Sequence, residues 1–181
     1  LYKKAFDECL RVGLTGVHDM GIDRIDHEIY SGLAKLHELP IRIYALVGGT
    51  GPFLNDMLRH GPITDRVDYL YSLRSIKLYL DGALGSRGAA LTEPYSDDPD
   101  SRGVITFDPD SIRVVTEWAL QRGFQVCVHA IGDRANKAAL DAFEGDEYHR
   151  ILVPVWNGDR LFAVANLYAA VRPVGADEAT R

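Results

Sequence analysis

At 181 residues the chain is long enough for one sizeable core, and 46% hydrophobic with 25% charged residues is ordinary for a soluble domain. Its net charge of −6, with Lys and Arg scattered rather than gathered into a stripe, argues against a nucleic-acid partner or an anionic membrane surface. No run approaches the roughly 18 apolar residues that a membrane span needs.

Leu1 opens directly on a helix-like pattern with no charged or apolar leader, so an earlier part of the gene product is expected to be absent. Tyr2–Val12 carries Ala5, Phe6, Cys9 and Leu10 at helical spacing, and Gly13 is a natural stop. Leu14–Met20 (LTGVHDM) reads as a strand ending in His18 and Asp19. Adjacent strand residues point to opposite faces, so at most one of that pair could serve a shared site, and supporting roles are the simpler reading. Asp23 is positioned to cap a helix whose expected apolar stripe is Ile25, Ile29, Leu33 and Leu36, with Pro40 beyond its end. His27 and His37 fall off that stripe and are expected to face solvent. The next strand is Ile41–Val47, followed by the glycine cluster Gly48-Gly49-Thr50-Gly51-Pro52. That cluster lacks both GxxxxGK[ST] and GxGxxG and reads as a strand-to-helix loop. A short amphipathic piece, Phe53–Arg59, and a polar connection lead on to Ile76.

Strand Ile76–Leu80 places Lys77 and Tyr79 on one face and Ile76, Leu78 and Leu80 on the other. An interior lysine is costly unless paired, deprotonated or modified, which makes Lys77 a candidate functional amine; a lysine snorkelling to water is the plainer alternative. Asp81-Gly82 and Gly85-Ser86-Arg87 then give a loop with a carboxylate, a hydroxyl and a guanidinium. The long proline- and aspartate-rich excursion Ala89–Arg102 reads as a lid. Asp108-Pro109-Asp110 starts a helix with Ile112, Val115 and Ala119 on its buried face and Trp118 beside them, and Gly123 closes it.

Phe124–Arg134 (FQVCVHAIGDR) is the stretch around which the chain is organised. Phe124, Val126, Cys127 and Val128 make the short apolar run of a doubly buried parallel strand, which stops at His129. Asp133 reads as a helix cap before an alanine-rich helix, Arg134–Phe143, and less readily as a site carboxylate. Strands ending near His18, Val47, Asp81 and His129, each followed by a loop and a helix, predict an α/β fold: a parallel sheet with right-handed crossovers. A flavodoxin-like sheet and part of a (β/α)8 barrel both satisfy that pattern. Cys9 and Cys127 fall on expected core faces, consistent with reduced thiols in a cytoplasmic protein.

The segments LTGVHDMG, IKLYLDGALGSRGAALTEPYSDDP, RGVITFDP and FQVCVHAIGDRAN, in this order, resemble the amidohydrolase superfamily over about Leu1–Arg150. The branch that includes N-substituted formamide deformylase and exoenzyme-like metal-dependent hydrolases is the nearest. The resemblance implies a partial TIM-like (β/α)8 barrel over residues 1–150, one or two divalent metals (usually zinc), and hydrolysis of an amide-type C–N bond by a metal-activated water. It maps a metal-ligating histidine onto His129, a metal-bridging lysine (carbamylated where it bridges) onto Lys77, and substrate-pocket rim positions onto Asp81 and Arg87. The implied substrate is a small amide-type molecule, with neither nucleic acid nor membrane as partner.

The sequence also departs from the family. The paired-histidine HxH of the first barrel strand is missing, as is the aspartate of the last strand, and Asp159 and Asp177 have no motif around them. After His149-Arg150-Ile151 the family would continue into an RIEHAQ-like strand, whereas here residues 151–181 form a divergent tail; the ligand role is not transferred to His149. The expectation is therefore a fragment, or a product rearranged after Ile151, with little activity of its own; sequencing the locus for an in-frame continuation tests this. Two other readings stand beside it. One is a non-catalytic half-barrel interaction protein, completed by dimerisation through open sheet edges or by a partner. The other is an unrelated enzyme using Lys77 as a Schiff-base amine.

Overall fold

In the computed structural model the chain is described over residues 1–64 and 69–142, with the backbone of four strands at 149–151, 155–157, 160–162 and 165–170 beyond them. It divides into two compact units, Leu1–Lys77 with Arg122–Phe124, and Leu78–Gln121 with the residues from Gln125 onward.

In the first unit, helix α1 (Tyr2–Arg11) precedes strand β1 (Gly16–Ile22), helix α2 (Arg24–Lys35), strand β2 (Arg42–Gly48), helix α3 (Pro52–His60), a two-residue β3 (Ile63–Thr64) and most of β4 (Tyr71–Tyr79). Strand β2 pairs in parallel with β1 on one side and β4 on the other, and β3 lies antiparallel on β4. Helix α2 begins at a reciprocal cap: Asp23 accepts from the Asp26 amide at 3.0 Å and Asp26 accepts from the Asp23 amide at 3.0 Å. Gly51, at φ 136°, turns the glycine-rich loop into Pro52, whose missing N–H costs nothing in the first helical turn.

One sheet face of this unit carries the register row Val17, Ile43 and Tyr71, and Asp19 beside Ala45. Aromatic rings cover that face: Tyr30 lies 6.1 Å from Tyr71 and 6.3 Å from Phe6. Phe6, Tyr30, Ile43, Ala45, Val47, Tyr71, Leu73 and Ile76 are buried here, each large side chain stabilising the unit by roughly 1.5–3 kcal/mol relative to exposure. The expected α2 stripe is corrected: Ile25 and Leu36 are exposed, and Tyr30 is the residue that goes inside. His27 is corrected too. It is half-buried, with Nδ1 2.7 Å from the Tyr71 hydroxyl, while His37 is exposed as expected. Strand β4 starts five residues before Ile76, because a bulge at Arg74 hides the alternation of Tyr71–Ser75.

In the second unit the end of β4 leads through a 3-10 turn (Leu84–Ser86) and a long strap to helix α4 (Pro109–Gln121). Strand β5 (Gln125–Ala130), helix α5 (Asp133–Ala142) and strands β6 (His149–Ile151), β7 (Val155–Asn157), β8 (Arg160–Phe162) and β9 (Ala165–Ala170) follow. Asp108 caps α4 by accepting from the Ser111 amide at 2.9 Å. Ile112, Thr116 and Ala119 are buried, whereas Trp118, expected beside the buried face, is 55% exposed. Val126, Cys127 and Val128 are all buried, and Ala135 and Ala139 let α5 approach closely. Strand β9 runs antiparallel to β5 and to β6, and β7 pairs with β8. Asp159 and Asp177 lie outside the described residues. Among the described residues no helix is long and apolar enough to cross a membrane.

Candidate functional site

The carboxyl end of β5 puts His129 at a junction of the second unit. Its carbonyl accepts from the Leu80 amide at 2.9 Å, tying it to the chain just after β4, and its ring lies 5.7 Å from that of Tyr79. The imidazole remains 26% exposed.

Beneath it lies Asp81, whose side chain is 0% exposed. One carboxylate oxygen accepts from the amides of Ala90 and Gly132, both at 2.8 Å, and the other from the amide of Ile131 at 2.9 Å. The latter oxygen is also 3.8 Å from His129 Nε2. An acceptor-only group surrounded by convergent N–H donors is a stable way to bury a charge. Asp81, expected at the rim of a substrate pocket, is instead enclosed and occupied by backbone.

Asn136 grips the same turn from the other side, its Nδ2 donating to the carbonyls of Ala130 and Gly132, both at 2.9 Å. The turn after β5 is thus held through its N–H groups by Asp81 and through its C=O groups by Asn136. The Ala90 carbonyl then accepts from the amides of Arg134 (3.1 Å) and Ala135 (3.3 Å), satisfying donors that the first turn of α5 would leave open. Neither Asn136 nor Ala90 stands out in the sequence. The asparagine was visible as a polar residue inside an alanine-rich helix, but its partners lie on the preceding turn.

The excursion expected to be a lid is fastened down. Ala89 and Ala90 are fully buried, the Tyr95 hydroxyl donates to the Ala89 carbonyl at 2.8 Å, and the Leu91 amide donates to Arg102 at 2.9 Å. Asp133 accepts from the Thr92 amide at 2.8 Å as well as from Arg134. Partial burial pushes its pKa up, but those hydrogen bonds outweigh it and hold the carboxyl below its usual range. Gly103 and Gly132 allow the closest approaches: a Cβ there would stand 1.9 Å from the carbonyl oxygens of Ala89 and Ala90 respectively. The strap is a packed part of the wall.

Arg87 is exposed, at φ 56°, and its guanidinium donates to Asp97 at 3.1 Å. That bond raises the arginine's pKa and lowers the aspartate's. Lys77 belongs to the first unit and is 4% exposed, the interior one of its two readings; its carbonyl accepts from the Gly49 amide at 2.8 Å. His18 and Asp19 diverge as expected. Asp19 accepts from the buried Tyr30 hydroxyl at 2.7 Å, while His18 stacks at 4.9 Å on Tyr44. Burial first, and then that carboxylate bond, push the Tyr30 hydroxyl's pKa up. His18 and Tyr44 border a cavity of about 490 Å³ at the amino ends of β1 and β2.

A catalytic zinc centre needs about three protein ligands and an open position. Among the described residues no group of three His, Cys, Asp or Glu is placed to hold a metal ion, and both oxygens of Asp81 are committed to backbone. The described residues therefore do not complete such a centre.

Comparison with known proteins places this arrangement. The protein YtcJ of Bacillus subtilis (strain 168) is 36% identical over 149 residues, 77% of this chain and 26% of that protein. The N-substituted formamide deformylase of Arthrobacter pascens is 24% identical over 148 residues, 80% of this chain and 27% of the enzyme. The crystal structure of a metal-dependent hydrolase from Pyrococcus horikoshii OT3 superposes with a TM-score of 0.72 at 32% identity, covering 78% of this chain and 29% of that one. The chain thus spans about a quarter of the length of these two relatives. The fold is accordingly a partial TIM-like α/β barrel, with parallel strands alternating with helices. With the amidohydrolase family model matching residues 1–160, the chain belongs to the amidohydrolase family.

Proposed function

We propose that the chain is a portion of a metal-dependent hydrolase of amide-type C–N bonds, in the branch of the N-substituted formamide deformylases, and that its 181 residues alone turn over little or no substrate. His129 and Lys77 are each candidate metal ligands by the family resemblance, and Arg87 a candidate substrate-side residue. The observation that carries this reading is His129. It stands partly exposed at the end of a buried strand, on a turn clamped by Asp81 and Asn136, while no complete ligand group surrounds it among the described residues. A rigidly held but incomplete site suits a part of an enzyme better than a whole one.

Grafting tests it. Residues 1–150 would replace the matching segment of the Arthrobacter pascens deformylase, and the graft and the isolated chain would be assayed against N-substituted formamides and simple amides. The reading predicts formamide hydrolysis by the graft, abolished by His129→Ala, and none by the isolated chain. Hydrolysis of other amides only would keep the family chemistry and remove the branch. A cooperatively folded graft inactive on every amide would overturn the proposal.

A further inference from the structure

Asp81 does more than satisfy a turn. Its Oδ1 accepts from the Ile131 amide at 2.9 Å and also faces His129 Nε2 at 3.8 Å, with the carboxylate wholly enclosed. That separation is too long for a hydrogen bond but short for an enclosed charge. A carboxylate repels the lone pair of a neutral imidazole nitrogen and attracts its N–H. We infer that Asp81 is a positioning residue: by fixing the turn after β5 and facing Nε2, it holds the His129 proton on Nε2 and leaves Nδ1 as the nitrogen with the available lone pair. The inference builds on the reading of His129 as a site residue, but it concerns this chain's own atoms and needs no turnover.

Asn136 is the internal comparison. Its Nδ2 holds the carbonyls of Ala130 and Gly132 in the same turn at 2.9 Å. Asp81 therefore controls both the turn and the ring, and Asn136 the turn alone.

The test is nitrogen NMR of the whole chain labelled with ring-15N histidine, with a chelator present and at about pH 8 or above, where an ordinary histidine is neutral. The wild-type protein should show His129 protonated on Nε2 only; Nδ1 protonation there would overturn the inference without any variant. In Asp81→Asn the His129 signals should move to a mixture of both tautomers, with about tenfold or greater loss of exchange protection at the Ala90, Ile131 and Gly132 amides. In Asn136→Ala the amide protection should fall while the ring signals stay in place. An Asp81→Asn protein with weakened amides and an unmoved ring spectrum would show a structural clamp only. Failure of the amide-hydrolase reading would leave the tautomer result standing, so the two can be told apart.

Discussion

His27 shows how one buried contact sets a pH response. Burial is the main force lowering its pKa from 6.5, and its Nδ1 shares a 2.7 Å hydrogen bond with the Tyr71 hydroxyl. The charged groups of its surroundings are Glu28, which raises the pKa, and Arg24 and Lys35, which lower it. Because the folded pKa lies below the unfolded one, the contribution is whole above about pH 6.5 and is lost as pH falls toward the folded value. Thermal unfolding followed from pH 8 to pH 5 should therefore show a falling midpoint below about pH 6.5, and His27→Gln should flatten that part of the curve. A wild-type midpoint that rises on acidification would contradict the assignment. Tyr2 is held in the same network: its hydrogen bond to Asp26, with burial adding to it, pushes its pKa up to about 12. The position of His27 was not legible in the chain. Its spacing put it off the apolar stripe, and it is the long-range approach of Tyr71 and Phe53 that draws it inward.

At the scale of elements, the strap from Asp81 to Arg102 and the turn after β5 stand or fall together. Gly132→Ala drives a methyl group into the Ala90 carbonyl, a backbone atom that cannot rotate away, so a loss of roughly 2–4 kcal/mol or outright failure to fold is expected in denaturant titration. Gly85→Ala, in open space on the same strap, should stay within about 0.5 kcal/mol of the wild type. Equal losses for the two would mean that the strap does not pack as described. Arg87→Ala removes an exposed, solvent-screened ion pair with Asp97 and should leave the denaturation midpoint nearly unchanged. The strand end at His129 was legible because an apolar run stopping at a polar residue marks where a buried strand ends, whereas for Lys77 alternation gave only its face, shared with Tyr79, and left interior and snorkelling positions both open. The strap was not. Length and proline content suggested a lid, but the bonds that fasten it run from Ala90 to Asp81 and Arg134, and local pattern carries no record of such pairs.

At the scale of the whole molecule, the chain carries the amidohydrolase pattern over residues 1–160 and about a quarter of the length of the YtcJ protein and the formamide deformylase. The motifs made the family and the α/β alternation readable from residues alone. The two compact units and the β5–β9 pairing were not readable, since they depend on contacts between distant segments. The account holds that this chain contributes a preorganised histidine to a metal site without completing it. The most direct test is metal content per chain by mass spectrometry on freshly purified protein, beside His129→Ala. The account predicts well under one zinc per chain, with little difference between the two proteins. Stoichiometric zinc that disappears in His129→Ala would contradict it, showing that the chain assembles a full centre by itself or with a second copy.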